Sequence, residues 1–85
     1  MLAQGQRPWG VQHPVKIELF GSHLRRLREG KGFSQQALAD TANITKMTIF
    51  RIENGRNAPS LDLLISLSEA LEIPFKELMD FERNV

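Results

Sequence analysis

The 85-residue chain contains no cysteine. A disulfide framework, a zinc knuckle and a thiol nucleophile are thereby excluded, and so small a fold must be held by packing, with self-association as a supplement. The absence fits a reducing cytosol. No apolar run approaches the ~18 residues of a membrane span, and the first residues lack the basic-then-apolar order of a secretory signal, so a soluble, cytoplasmic chain is expected. Strand signals are missing as well: the β-branched residues are scattered, and no internal repeat appears beyond two similar helix starts. Catalytic groups do not converge. His13 and His23 lie ten residues apart with no clustered carboxylates, Ser34 and Ser60 sit where helix caps are needed, and the acidic residues of the last third are spread around two helices. No metal, no cofactor and no enzymatic activity are expected from such a pattern, and one small domain leaves no room for a deep cleft.

What the chain does have is segregated charge. Its net charge is only +1, yet residues 21–56 carry seven cations (Arg25, Arg26, Arg28, Lys31, Lys46, Arg51, Arg56) against three anions (Glu29, Asp40, Glu53). Residues 57–85 reverse the balance, with Lys76 and Arg83 against six carboxylates. A field divided in this way draws a polyanion to one end and turns the other away, although oppositely charged solvated helix faces produce the same count.

Helical grammar follows the charge. Residues 1–18 read as an N-terminal arm or linker, since residues 1–16 hold two prolines, two glycines and no sustained period. For Arg7 and Trp9 three readings stay open: folding back on the domain, contact with a nucleic acid, or an interface, mobility being the default for a terminus. Helical spacing starts at Phe20 with Leu24 and Leu27, and closes at Gly30 and Gly32. Ser34 then caps a second helix, with Phe33 stapled to Leu38. Thr45 caps a third in the same way, with Ile44 stapled to Ile49, and Gly55 ends it. Between them Asn43 tolerates the left-handed conformation that a sharp turn requires. Pro59-Ser60 opens a fourth helix with Leu61, Leu64, Ile65 and Leu71 on one stripe and Leu63 and Leu67 on a neighbouring one. A fifth short helix begins near Pro74.

Two short helices joined by a three- or four-residue turn are a helix-turn-helix, whose second helix suits a major groove. From about Phe20 to Asp80 the chain closely resembles the Cro/CI-type (XRE-like) helix-turn-helix family of transcription regulators, through LRRLRE, SQxxLA, RIENG and PSL in order and at family spacing. Asn43 stands where that family often has glycine, a departure that costs little. The resemblance implies an all-α, five-helix, lambda-repressor-like DNA-binding domain over residues 19–82, followed by a short tail at 83–85. It also implies roles for the outward residues. Gln35 matches a position that contacts the DNA backbone and sometimes a base, and Thr45 one that caps and bonds a phosphate. Lys46, Met47 and Arg51 match positions that meet base edges, with Thr48 beside them and Arg56 completing the basic set. Arg28 and Glu53 match a partly buried ion pair rather than a DNA contact. For Phe50, core packing and contact with sugar and thymine stand level.

The function so implied is sequence-specific binding of double-stranded DNA by a repressor, acting as a homodimer on a symmetric operator, because one short helix reads only a few base pairs. Leu63, Leu67, Phe75, Leu78, Met79 and Phe81 form more apolar surface than two short helices bury, and are expected at the dimer interface. A nucleoid-associated location goes with that reading. A controller of a restriction-modification operon or an antitoxin of the same fold, and a protein-interaction module that has lost DNA binding, stay open as alternatives. Operator sequence, sign of regulation and any small-molecule effector are not legible.

Overall fold

The computed structural model describes residues 11–83, which form five α-helices and no strand: α1 (Pro14–Gly30), α2 (Gln35–Ala42), α3 (Lys46–Glu53), α4 (Leu61–Leu71) and α5 (Phe75–Leu78). Arg7 and Trp9 lie outside the described residues, and with them the readings placed on the arm's first ten positions. The first helix starts earlier than its apolar spacing predicts. Pro14 occupies the first turn, where a missing N–H leaves no bond unmade, and the Ile17 N–H reaches the His13 carbonyl at 3.0 Å. Residues 14–18 therefore belong to α1 and not to an arm, and Val11 just before them is buried.

The four longer helices all end in one way. At each C-terminus a residue turns left-handed, at Gly32, Asn43, Gly55 and Glu72, and the next N–H returns to a carbonyl five residues back: Phe33 to Arg28, Ile44 to Ala39, Arg56 to Arg51 and Ile73 to Ser68, at 2.8–3.1 Å. These are Schellman closures, which satisfy carbonyls the helix leaves without partners. The closure at Asn43 (φ 61°) is the turn between α2 and α3. At the other ends, Ser34, Thr45 and Ser60 accept the N–H of Ala37, Thr48 and Leu63 through their side-chain oxygens, so all three expected caps are in place.

Phe20, Leu24, Leu38, Ala39, Ile49, Ile52, Leu64, Leu67, Leu71 and Leu78 form one core, with α1 against α3, α2 against α3 and α4, and α5 against α4 and α1. Ala39 is fully buried in α2, where a larger side chain would separate it from its neighbours. Gly21 has a similar role that spacing did not reveal. A methyl group there would overlap the Ile52 carbonyl oxygen, so α1 crosses the backbone of α3 at the one α1 position able to let it near.

The apolar surplus on the last two helices is smaller than expected. Leu67 and Leu78 are fully buried within the single chain and cannot form an interface. Met79 and Phe81 pack on the same core. The cause is α1, which covers them: Phe81 meets Phe20 edge-on with ring centroids 5.7 Å apart, and the His23 Nε2–H donates to the Glu77 carbonyl at 2.9 Å. Leu61 and Ile65, expected on the inward stripe of α4, are instead exposed, together with Phe75.

Glu72 is an exposed non-glycine residue at φ 57°. A left-handed L-residue costs about 1–2 kcal/mol, part of which glycine regains as chain entropy, so Glu72→Gly is expected to add about 0.5–1 kcal/mol of stability. Urea unfolding measures this, and a lower midpoint in the variant contradicts it.

Candidate nucleic-acid interface

The inner side of α3 is fully committed. Ile49 and Ile52 are wholly buried, and the Glu53 side chain is 2% exposed. At about 100° per residue, these three positions occupy one arc and leave Lys46, Phe50, Met47 and Arg51 across the opposite one. All four are exposed, Met47 by 52% and Phe50 by 48%. Phe50 is thus not a core residue, and its spacing of four from Lys46 and three from Met47 is the signal that puts it outside. Lys46 and Arg51 have no ion-pair partner among the described residues, and neither does Arg56, which is exposed just past the α3 closure. Three cations on or beside one short helix, with its only carboxylate buried and paired, make this a positively charged surface.

Thr45 sits at the opposite end of α3. Its Oγ1 accepts the Thr48 N–H at 3.1 Å and lies 2.9 Å from the Thr48 hydroxyl, so the two threonines form a small polar pair at the helix start. Thr45 is exposed and Thr48 half-buried. The N-terminal amides of α3 open beside them, a geometry that favours an anion.

Behind this surface lies the Arg28–Glu53 pair. Arg28 Nε donates to Glu53 Oε2 at 2.6 Å and its Nη2 to Oε1 at 3.0 Å, a two-pronged pairing, while Nη1 donates to the Phe33 carbonyl at 2.9 Å. The hydrogen bond to Glu53, aided by its charge, raises the Arg28 pKa against the opposing effect of burial, so the guanidinium stays charged. Glu53 Oε1 also accepts from the Gln35 side-chain amide at 3.0 Å. Gln35 therefore stands at the first turn of α2 with its amide nitrogen tethered inward and its amide oxygen able to accept, a bond that nothing in the sequence signalled. One carboxylate thus connects α1, the loop before α2, the start of α2 and the end of α3.

The described positions bring Gln35, Thr45, Lys46, Met47, Thr48, Arg51 and Arg56 onto α2, α3 and the turn that follows. Chemically the set can pair an arginine with guanine through two hydrogen bonds and place apolar groups on a thymine methyl.

Residues 24–78 match the Helix-turn-helix family. The HTH-type transcriptional repressor RghR of Bacillus subtilis is 41% identical over 64 residues, covering 74% of this chain and 47% of that protein. YonR, a prophage-derived HTH-type transcriptional regulator of the same organism, is 38% identical over 55 residues, 65% of this chain and 51% of that protein. The chain thus spans about half the length of these curated relatives. Among solved structures, the restriction-modification controller protein C.AhdI from Aeromonas hydrophila superposes with a TM-score of 0.74 at 34% identity, covering 75% of this chain and 97% of that one.

Removing one partner of a buried pair strands a desolvated charge, so Glu53→Ala is expected to lose about 3–5 kcal/mol of folding stability. Chemical denaturation measures the loss. A change under about 1 kcal/mol, the value of an exposed pair, refutes the role assigned to it.

Proposed function

The chain belongs to the XRE-type helix-turn-helix family of DNA-binding transcription regulators, and from that premise we propose that it represses transcription as a homodimer bound to a symmetric operator through α3. The observation that carries this reading is the division of α3 into an inner face locked by Ile49, Ile52 and Glu53 and an outer face of unpaired Lys46, Met47 and Arg51. A face of that composition has no part in holding the fold, and it suits base edges flanked by phosphate. Gln35, Thr45 and Arg56 then act as backbone contacts, and Thr48 lies at the edge of the reading surface. Occupying promoter sequence suffices for repression, and RghR, a relative, is a repressor by name.

A second reading of the same activity has a specific support. The similarity to C.AhdI extends over nearly all of that controller protein, so a controller of a restriction-modification operon is the runner-up. Genes for an endonuclease and a methyltransferase beside this one favour it, and their absence favours a repressor of another operon.

Selection of duplexes from a random pool tests the DNA-binding role. On the selected site Arg51→Ala is expected to lose about 1–3 kcal/mol and to relax preference at one or two base pairs, whereas Gln35→Ala weakens selected and random duplexes by similar factors. Equal losses on both duplexes for Arg51→Ala make Arg51 a phosphate contact and overturn its assignment.

Dimerisation is proposed through the surface that α1 leaves bare. Leu61 and Ile65 lie one turn apart on α4 and are exposed with Phe75, while Leu63 is half-buried beside them. Such apolar exposure on so small a chain suits an isologous contact, and two copies of α3 set about 34 Å apart meet successive major-groove turns. Sedimentation equilibrium without DNA is expected to show a dimer whose dissociation constant rises by about tenfold or more in Ile65→Asp. A strictly monomeric chain at high micromolar concentration rules the interface out.

A further inference from the structure

We propose that Met47 and Phe50, with the stem of Lys46, form an apolar cleft that reads the C5-methyl group of a pyrimidine in the major groove, so that this chain selects thymine and accepts 5-methylcytosine at the same place. The inference rests on the DNA-binding role proposed above and names which chemical group part of its surface recognises. Three observations carry it. Met47 and Phe50 are both about half exposed on the outward face of α3, three residues apart and hence side by side. Together with Lys46 they line an open, mostly apolar groove. And nothing about folding needs them there, because Ile49 and Ile52 already fill the inner face.

Charge selects the occupant of the groove. An apolar protein partner would have to approach across Lys46 and Arg51, and the single carboxylate of α3 is buried against Arg28. A DNA groove presents phosphates to those cations and, between them, the one apolar substituent found on a base edge, the thymine methyl. The two side chains divide the work. The phenyl ring is a flat wall with few rotamers, while the thioether is polarizable and adapts to the remaining gap. Cytosine in the same position offers an amino group and no methyl, and the cleft has only the Lys46 ammonium, another donor, to meet it. Discrimination therefore comes from the methyl together with an unmatched polar group.

The test changes the DNA before the protein. In the duplex selected from a random pool, each thymine is replaced singly by deoxyuridine, which lacks only the methyl, and binding is followed by fluorescence anisotropy at fixed salt. At one or two positions of each half-site the replacement is expected to weaken binding about fourfold, the effect of one buried methyl. The Met47→Ala/Phe50→Ala double variant is expected to bind thymine and deoxyuridine duplexes equally. Where cytosine replaces that thymine, methylation at C5 is expected to regain about the same factor. Deoxyuridine tolerated at every position overturns the cleft while leaving DNA binding intact, and so does an equal deoxyuridine penalty in the double variant. If Phe50→Ala alters the sedimentation behaviour and not the methyl sensitivity, the residue serves a protein contact and the proposal fails. A pool that yields no enriched, salt-sensitive duplex removes the DNA-binding role itself, a result distinct from all the others.

Discussion

The Glu53 carboxylate is the constraint on which the arrangement of helices depends. It is the last residue of α3, and it holds the guanidinium of Arg28 from α1 with one pair of bonds and the amide of Gln35 from α2 with another. Arg28 extends the connection to the Phe33 carbonyl in the loop between α1 and α2. A buried ion pair adds little net stability relative to well-packed hydrocarbon, because desolvation consumes most of its attraction. Its geometry is the more consequential property. Hydrophobic contact between α1 and α3 permits sliding and rotation, whereas a two-pronged bond fixes where the end of α3 lies relative to α1 and the start of α2. The side chains that would contact a duplex sit on α2 and α3, so their relative placement is set from behind by a group that never reaches the surface.

Gly21 complements that constraint by fixing distance where Glu53 fixes register. Because the backbone of α1 comes close to the Ile52 carbonyl, the Arg28 side chain reaches Glu53 without spanning a gap. Farther along the same helix, His23 and Phe20 hold the opposite end of the chain through Glu77 and Phe81. Helix α1 is thus a spine, with its last turn serving the presumed reading helices and its first half closing over α5. The longer α1 found in the structure, starting at Pro14, is what makes the second function possible.

Local physics was the legible part of the sequence. Serine and threonine caps, the left-handed Asn43 and Gly55, and the alternation of helix and turn each depend on a few consecutive residues, and the structure places all of them where their chemistry asks. The pairing of Arg28 with Glu53 came from family resemblance and not from spacing, and it too is present. What was not legible depends on contacts across the fold. Pro14 was read as part of an arm because the prolines and glycines around it masked its value as a first-turn residue, and Val15, which is exposed, broke the apolar period there. Leu67 and Leu78 were assigned to an interface because counting apolar residues on α4 and α5 cannot show that α1 folds over them. Met79 and Phe81 follow from the same error. The Gln35–Glu53 bond left no sequence signal at all, since either residue alone has an ordinary reading.

The division of α3 has a consequence for how such a domain can change. Every stabilising role on that helix falls to Ile49, Ile52 and Glu53, and to Thr45 at its cap, while the outward residues make no contact on which the fold depends. Substitutions at Lys46, Met47, Phe50 and Arg51 then alter what the surface recognises with little effect on whether the chain folds, since exposed positions away from caps and buried pairs usually shift stability by under about 0.5 kcal/mol. Gln35 is the exception among the candidate contacts. Its amide belongs both to the presumed DNA surface and to the buried network, so a change there reaches Glu53 as well as any ligand. Recognition is free to vary along the outer arc of α3 and is tied to the fold at the start of α2, and that asymmetry follows from which side of each helix the single carboxylate occupies.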